Sequence, residues 1–301
     1  MTERCGLVAV LGAPNAGKST LVNSLVGQKV AIVSAKAQTT RARLMGIALE
    51  ETPEFKTQII LADTPGIFTP KRRLDRAMVA AAWDGAKEAD AIVLVVDARK
   101  KKREYLAEIL ESLKARPERK ILVLNKVDET PKEPLLVAAE ELTALADFDE
   151  VFFVSALTGD GVPELKTRLA DLMPEGPWHY PEDQVSDASE RLLACEITRE
   201  QLYRQLHDEL PYDSAVRPES YTHRKDGSVE IHQQIVIARD SQKSIVLGKG
   251  GAKIKSIGEA ARKELAELLG VNVHLFIHVK VDESWSDNRE IYEEIGLEWG
   301  R

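Results

Sequence analysis

The sequence predicts an α/β protein: a doubly wound, mostly parallel sheet followed by a smaller α+β domain. Three observations predict it. Apolar runs of strand length alternate with helical periodicity up to about residue 173; a polar stretch at 173–187 holds Pro174, Gly176, Pro177 and Pro181; and beyond it a helical pattern is followed by period-two strands. With 301 residues, 44% of them hydrophobic, the chain is long enough for two domains, and 1–173, a 174–187 linker and 188–301 are the expected divisions.

The first strand is expected at 5–11 and runs into Gly12-Ala13-Pro14-Asn15-Ala16-Gly17-Lys18-Ser19, a phosphate-loop pattern with all its fixed positions filled. Gly12 and Gly17 let the backbone curl so that successive N–H groups face phosphate oxygens, and the helix expected at 18–26 adds its positive end. Lys18 would reach the β- and γ-phosphates, Ser19 would offer its hydroxyl to magnesium, and Thr20 follows in the same turn. The loop implies a nucleoside triphosphate. It leaves adenine and guanine open.

Further strands are expected at 47–50, 58–62, 91–97, 121–125 and 151–154, mostly parallel with one antiparallel edge. Three of them end in polar motifs. Asp63-Thr64-Pro65-Gly66 places a carboxylate for the magnesium shell and a Gly66 N–H for the γ-phosphate. Asn125-Lys126-Val127-Asp128 supplies in Asp128 an acceptor for the N1 and N2 donors that guanine has and adenine lacks. Ser155-Ala156 brings an N–H that could reach the guanine carbonyl. Together these groups converge on the carboxyl ends of the strands, where an open α/β sheet binds ligands, and they select GTP.

Composition sets the surroundings. A formal charge of −8 argues against indiscriminate nucleic-acid binding, and no DNA partner is expected. With no apolar run long enough for a bilayer and no signal-peptide layout, a soluble, cytoplasmic, monomeric protein is expected. Cys5 and Cys195 each lie in an apolar stretch and are expected as small core residues, not a disulfide or zinc site. His274 and His278 alternate with apolar neighbours and are expected on a solvated strand face.

In the second domain a helix is expected at 189–210, stopped by Pro211, with strands at 229–239 and 271–281. Between them stands Gly248-Lys249-Gly250-Gly251, followed by a helix at 252–269. A Gly-x-x-Gly turn between two helices is the loop with which KH domains clamp an RNA backbone, and the element order here is that of the type II form. Seven basic residues between Arg239 and Lys263, among them Lys243, Lys249, Lys253 and Lys255, face two acidic ones, a local net of +5. A basic stripe in an acidic chain suggests a defined RNA groove.

On these motifs, with Gln38-Thr39-Thr40-Arg41 and Glu209-Leu210-Pro211-Tyr212, the chain resembles the bacterial Era GTPases over nearly its whole length. The resemblance implies slow Mg2+-dependent hydrolysis of GTP to GDP and binding to the 3′ end of small-subunit ribosomal RNA during 30S assembly. In some members it also implies peripheral association with the inner face of the cell membrane. It makes Thr40, with Thr39 as the second choice, the mobile-loop threonine that meets magnesium. Asn15 keeps two readings, a ligand for potassium or a residue chosen for its turn conformation. One departure bears on chemistry: Ile67 stands where commoner switch GTPases carry a water-orienting glutamine.

Overall fold

The computed structural model describes residues 2–34, 36, 38–100, 103–206 and 210–299. The chain falls into two compact units. The first holds the described residues up to Ala31 with Ala42–Lys71 and Met78–Asp187; the second holds Ile32–Arg41, Arg72–Ala77 and the described residues from Ala188 onward.

The first unit is built on strands β1 (Thr2–Leu11), β2 (Leu44–Glu51), β3 (Phe55–Asp63), β4 (Ala91–Asp97), β5 (Arg119–Asn125) and β6 (Glu150–Val154), in the order β2-β3-β1-β4-β5-β6. Only β2 runs antiparallel to its neighbour. β4 is buried at every position, which is why its sequence is apolar throughout instead of alternating. Helices α1 (Lys18–Val26) and α5 (Val162–Leu172) pack on one face through Leu21, Val22, Leu165 and Leu169. The end of α2 (Arg73–Asp84), with α3 (Ala107–Lys114) and α4 (Lys132–Leu145), packs on the other through Ala82, Ile109, Leu113 and Leu142. The connections reverse direction at β1, so the carboxyl ends of β1, β3 and β4 border the crevice that such a sheet offers a ligand.

The proline-rich 173–187 stretch lies along this unit. The Cys5 N–H donates to Pro174 O (3.1 Å), the backbone N–H groups of His179 and Tyr180 donate to Gln58 Oε1 (3.0 Å each), and the Ile47 N–H donates to Val185 O (2.8 Å).

The second unit contains β7 (Ser214–His223), β8 (Val229–Ile237) and β9 (Val273–Val281), with β7 antiparallel and β9 parallel to the central β8. Helices α6 (Glu190–Gln205), α7 (Asp240–Leu247) and α8 (Ala252–Leu269) share its core through Cys195, Leu202, Val246, Ile257 and Leu265, and α9 (Arg289–Glu294) follows the sheet. Ser189 caps α6 by accepting from the Leu192 N–H. The helix ends at Gln205, short of the expected residue 210. Leu206 turns extended there to bury its side chain in the core, so packing overrides helical periodicity; 207–209, including the Glu209 of the Era-like stretch, lie outside the described residues. Along β9, His274, Phe276, His278 and Lys280 face outward, as the alternation requires.

Ile32, Val33 and Arg41 are anchored in this unit. Ile32 joins the core beside Ala194 and Ile197, and the Val33 N–H donates to the buried Glu200 carboxylate (2.9 Å). Arg41 is buried, and its guanidinium donates to the carbonyls of Ser214 (2.6 Å), Pro211 (3.1 Å) and Tyr212 (3.2 Å). Three charge-assisted hydrogen bonds offset the cost of burying the cation.

Candidate functional site

At the end of β1 the loop closes on itself through Gly17, which caps α1 in a left-handed conformation that favours glycine. Lys18 is buried, and its ammonium donates to Gly12 O (3.2 Å) and Ala13 O (3.1 Å). Burial pulls its pKa from 10.5 down to about 8, opposed by the charge of Asp63. A phosphate group placed beside this ammonium would add negative charge and raise the pKa again, so that the lysine would take up a proton. Titration calorimetry with GDP at about pH 8.5, in two buffers of different ionisation heat, is expected to show this uptake as a buffer-dependent enthalpy. Identical enthalpies in the two buffers would remove the shifted lysine from the account.

Ser19 and Asp63 are brought together, with Ser19 Oγ donating to the fully buried Asp63 Oδ2 at 2.6 Å. A hydroxyl and a carboxylate are hard oxygen donors that fit magnesium. Thr64 turns inward and donates to Val10 O (2.7 Å), a strand-joining role. Gly66 approaches the loop so closely that a Cβ there would stand 2.7 Å from the backbone nitrogen of Pro14, and this contact needs glycine. Ile67 is buried in the core, and its N–H donates to Gly12 O (3.0 Å). Thr20 is half-buried in the first turn of α1. Thr40 belongs to the Ile32–Arg41 segment of the second unit.

Asn125 ties three strand ends together: its Nδ2 donates to Ala16 O (2.9 Å), and its Oδ1 accepts from the Ala156 N–H (2.9 Å). The Ala156 N–H, expected to reach the guanine carbonyl, donates to Asn125 Oδ1, which also accepts from the Lys126 N–H (2.8 Å). Ser155 is buried and accepts from the Thr158 N–H. Asp128 stands exposed on the turn after β5, open to a base. Asn15 is left-handed at φ 63°, and its carbonyl accepts from Lys126 Nζ (2.8 Å).

Two residues here lie outside the motifs. Asp97 ends β4 almost wholly buried, and its carboxylate accepts from Lys126 Nζ (2.8 Å) and from Arg99 Nε and Nη2 (2.9 and 2.8 Å). Burial opposes its ionisation, yet Arg99 and Lys126 together hold its pKa down at about 2. Its one sequence signal is its place, an acid closing an apolar strand just as Asp63 does.

In the second unit, Gly248, Gly250 and Gly251 all have positive φ, and Gly250 and Gly251 have open space where a Cβ would point. Lys249 and Lys255 are exposed at this turn and Lys243 and Lys253 half-buried, while Ile245 on α7 exposes 56% of its surface beside them. The α8 N-terminus opens directly from Gly251. An open backbone turn, four lysines and a helix N-terminus can accept phosphates. Among the described residues no helix is long and apolar enough to cross a membrane.

The profile of a family described as 50S ribosome-binding GTPase matches residues 7–126, and that of the KH domain matches 209–286. The chain is 73% identical to the GTPase Era of Erythrobacter litoralis, covering all of both chains, and 57% identical to one from a Bradyrhizobium strain over 99% of this chain and 96% of that one. Two solved structures match with TM-score 0.91 at 36% identity. Era in complex with MgGDPNP and nucleotides 1506–1542 of 16S ribosomal RNA covers 98% of this chain and 99% of its own; a variant of Aquifex aeolicus Era bound to GDP·AlF4− covers 97% and 99%.

Proposed function

The chain belongs to the Era family of GTPases, and from that premise we propose that it is an assembly factor which grips the 3′ region of small-subunit ribosomal RNA with its Gly248–Gly251 turn. The observation that carries the proposal is the presence, on one chain, of a complete nucleotide constellation and an open basic turn on a KH-type unit. The protein hydrolyses GTP. Lys18 and the α1 N-terminus meet the phosphates, Asp128 reads the base, and Ser19 and Asp63 hold magnesium, whose charge offsets that of the β- and γ-oxygens. Thr40 completes the metal shell when GTP is bound. Thr40 directly precedes the buried Arg41, so nucleotide state, by ordering or releasing the threonine, acts on the segment that carries Arg41.

Ile67 gives no hydrogen bond to an attacking water, so the isolated protein turns over slowly. Ile67→Ala is expected to cost stability, about 2–5 kcal/mol for a buried isoleucine, while turnover per folded molecule stays within a few-fold of the parent. A single-turnover rate on the order of a thousandfold lower would give Ile67 the weight of a principal catalytic group and overturn that account. Comparison of potassium with sodium in the same assay decides whether Asn15 holds a monovalent cation: rates insensitive to the ion favour its other reading, a residue chosen for its left-handed turn.

The family description names the large subunit, whereas the RNA-bound Era holds small-subunit RNA. Cosedimentation with purified subunits in a GTP analogue separates the two. Binding to the 30S particle is expected. Binding confined to the 50S particle, or to neither, would put a protein or membrane partner ahead of the small-subunit RNA.

A further inference from the structure

The Asp97 carboxylate lies outside every motif of the nucleotide site, yet it accepts four hydrogen bonds. One of its oxygens accepts from Lys126 Nζ and Arg99 Nη2, and the other accepts from Arg99 Nε and from the Arg99 backbone N–H (3.1 Å). Arg99 in turn donates to Glu129 (2.7 Å), the residue after the base-reading Asp128. Lys126 reaches the other way, to the Asn15 carbonyl in the phosphate loop. The chain Glu129–Arg99–Asp97–Lys126–Asn15 thus runs from the turn that meets the base to the loop that meets the phosphates.

We propose that Asp97 is a positioning residue of the nucleotide site, holding Lys126 as a strut so that the base-reading turn and the phosphate loop are set at the spacing of one nucleotide before it arrives. The assignment rests on reading Gly12–Ser19 and Asn125–Asp128 as the nucleotide site. Lys126 needs such a hold. It has a left-handed backbone at φ 70°, unfavourable for a long side chain, and an ammonium on four rotatable bonds that would otherwise sample many positions. Asp97 is rigid because it ends a fully buried central strand, and Arg99 locks its carboxylate plane with a two-pronged grip. Pre-ordering the strut removes an entropy cost from binding, so its loss falls on nucleotide affinity.

The test is a double-mutant cycle in the full-length protein, reading the Kd and dissociation rate of a fluorescent GDP. Lys126→Ala and Asp97→Ala are each expected to weaken binding about tenfold or more, the scale of one charged hydrogen bond. Asp97→Ala added to Lys126→Ala is expected to cost little more, because the strut is already gone. A merely structural role for Asp97 would cost as much on the Lys126→Ala background as on the parent, and that additivity overturns the proposal, as does an Asp97→Ala protein that binds GDP like the parent. If Lys126→Ala itself binds normally, the reading of Asn125–Asp128 fails along with the strut. Should Asp97→Ala not fold, Asp97→Asn, which keeps one acceptor oxygen for Lys126, takes its place: partial loss on the parent and none on Lys126→Ala is the result expected, and equal losses on both overturn it.

Discussion

Asp128→Asn is expected to lose most of its affinity for GTP and to gain affinity for xanthosine triphosphate. In the base-reading role proposed for it the carboxylate would accept from both N1 and N2 of guanine, and a charged hydrogen-bond pair of this kind contributes roughly 1.5–3 kcal/mol, or about tenfold to over a hundredfold in affinity. Xanthine carries an acceptor in place of the exocyclic donor, and a carboxamide can serve it. Asp128 is exposed at its turn, so the exchange leaves the core untouched and the loss is one of recognition. Competition binding with the two triphosphates checks it. Undiminished GTP affinity in the variant would take base reading away from Asp128.

The second large effect is expected in the KH-type unit. Replacing Lys249 and Gly250 together by Asp puts two carboxylates where a phosphate backbone should pass. Both positions are exposed, and Gly250 has a left-handed backbone that Asp tolerates better than most residues, so the fold should hold. Single-stranded RNA binding should fall steeply, while GTP binding and intrinsic hydrolysis should stay near the parent's. In the parent, if Lys243, Lys249, Lys253 and Lys255 each neutralise one phosphate, the log–log dependence of affinity on salt should have a slope of about −3. A folded double variant that binds RNA as the parent does would leave the glycine turn a plain helix connection.

The nucleotide site was legible because its chemistry sits in short segments that begin where apolar runs stop. Asp63 and Asn125 are local signals, and a parallel sheet delivers them to one edge without further information. The outward face of β9 was legible for a similar reason, since alternation alone sends His274 and His278 to solvent. Arg41 was not. Its carbonyl acceptors lie 170 to 173 residues further along the chain, and nothing around an arginine in a polar loop distinguishes a solvated cation from a buried one. Asp97 was hidden in another way, because an acid after a strand reads as a solvated corner until Arg99 and Lys126 are seen to close on it. The early end of α6 is a tertiary decision, in which Leu206 does better in the core than on another turn of helix.

The 173–187 stretch does more than join two units. β2 borders the sheet, and with Leu44, Met45, Ile47, Ala48 and Leu49 it is an apolar strand whose outer N–H and C=O groups could template pairing with another chain. The Ile47 N–H is instead bound by Val185 O, the Met45 N–H by the Asp187 carboxylate and the Met45 carbonyl by the Asp187 N–H, so a few residues of irregular chain blunt the edge that a seventh strand would otherwise occupy. Cutting the chain just before Val185 would therefore free a sticky border on the first unit, and fragments ending there should aggregate where those ending after Asp187 stay dispersed.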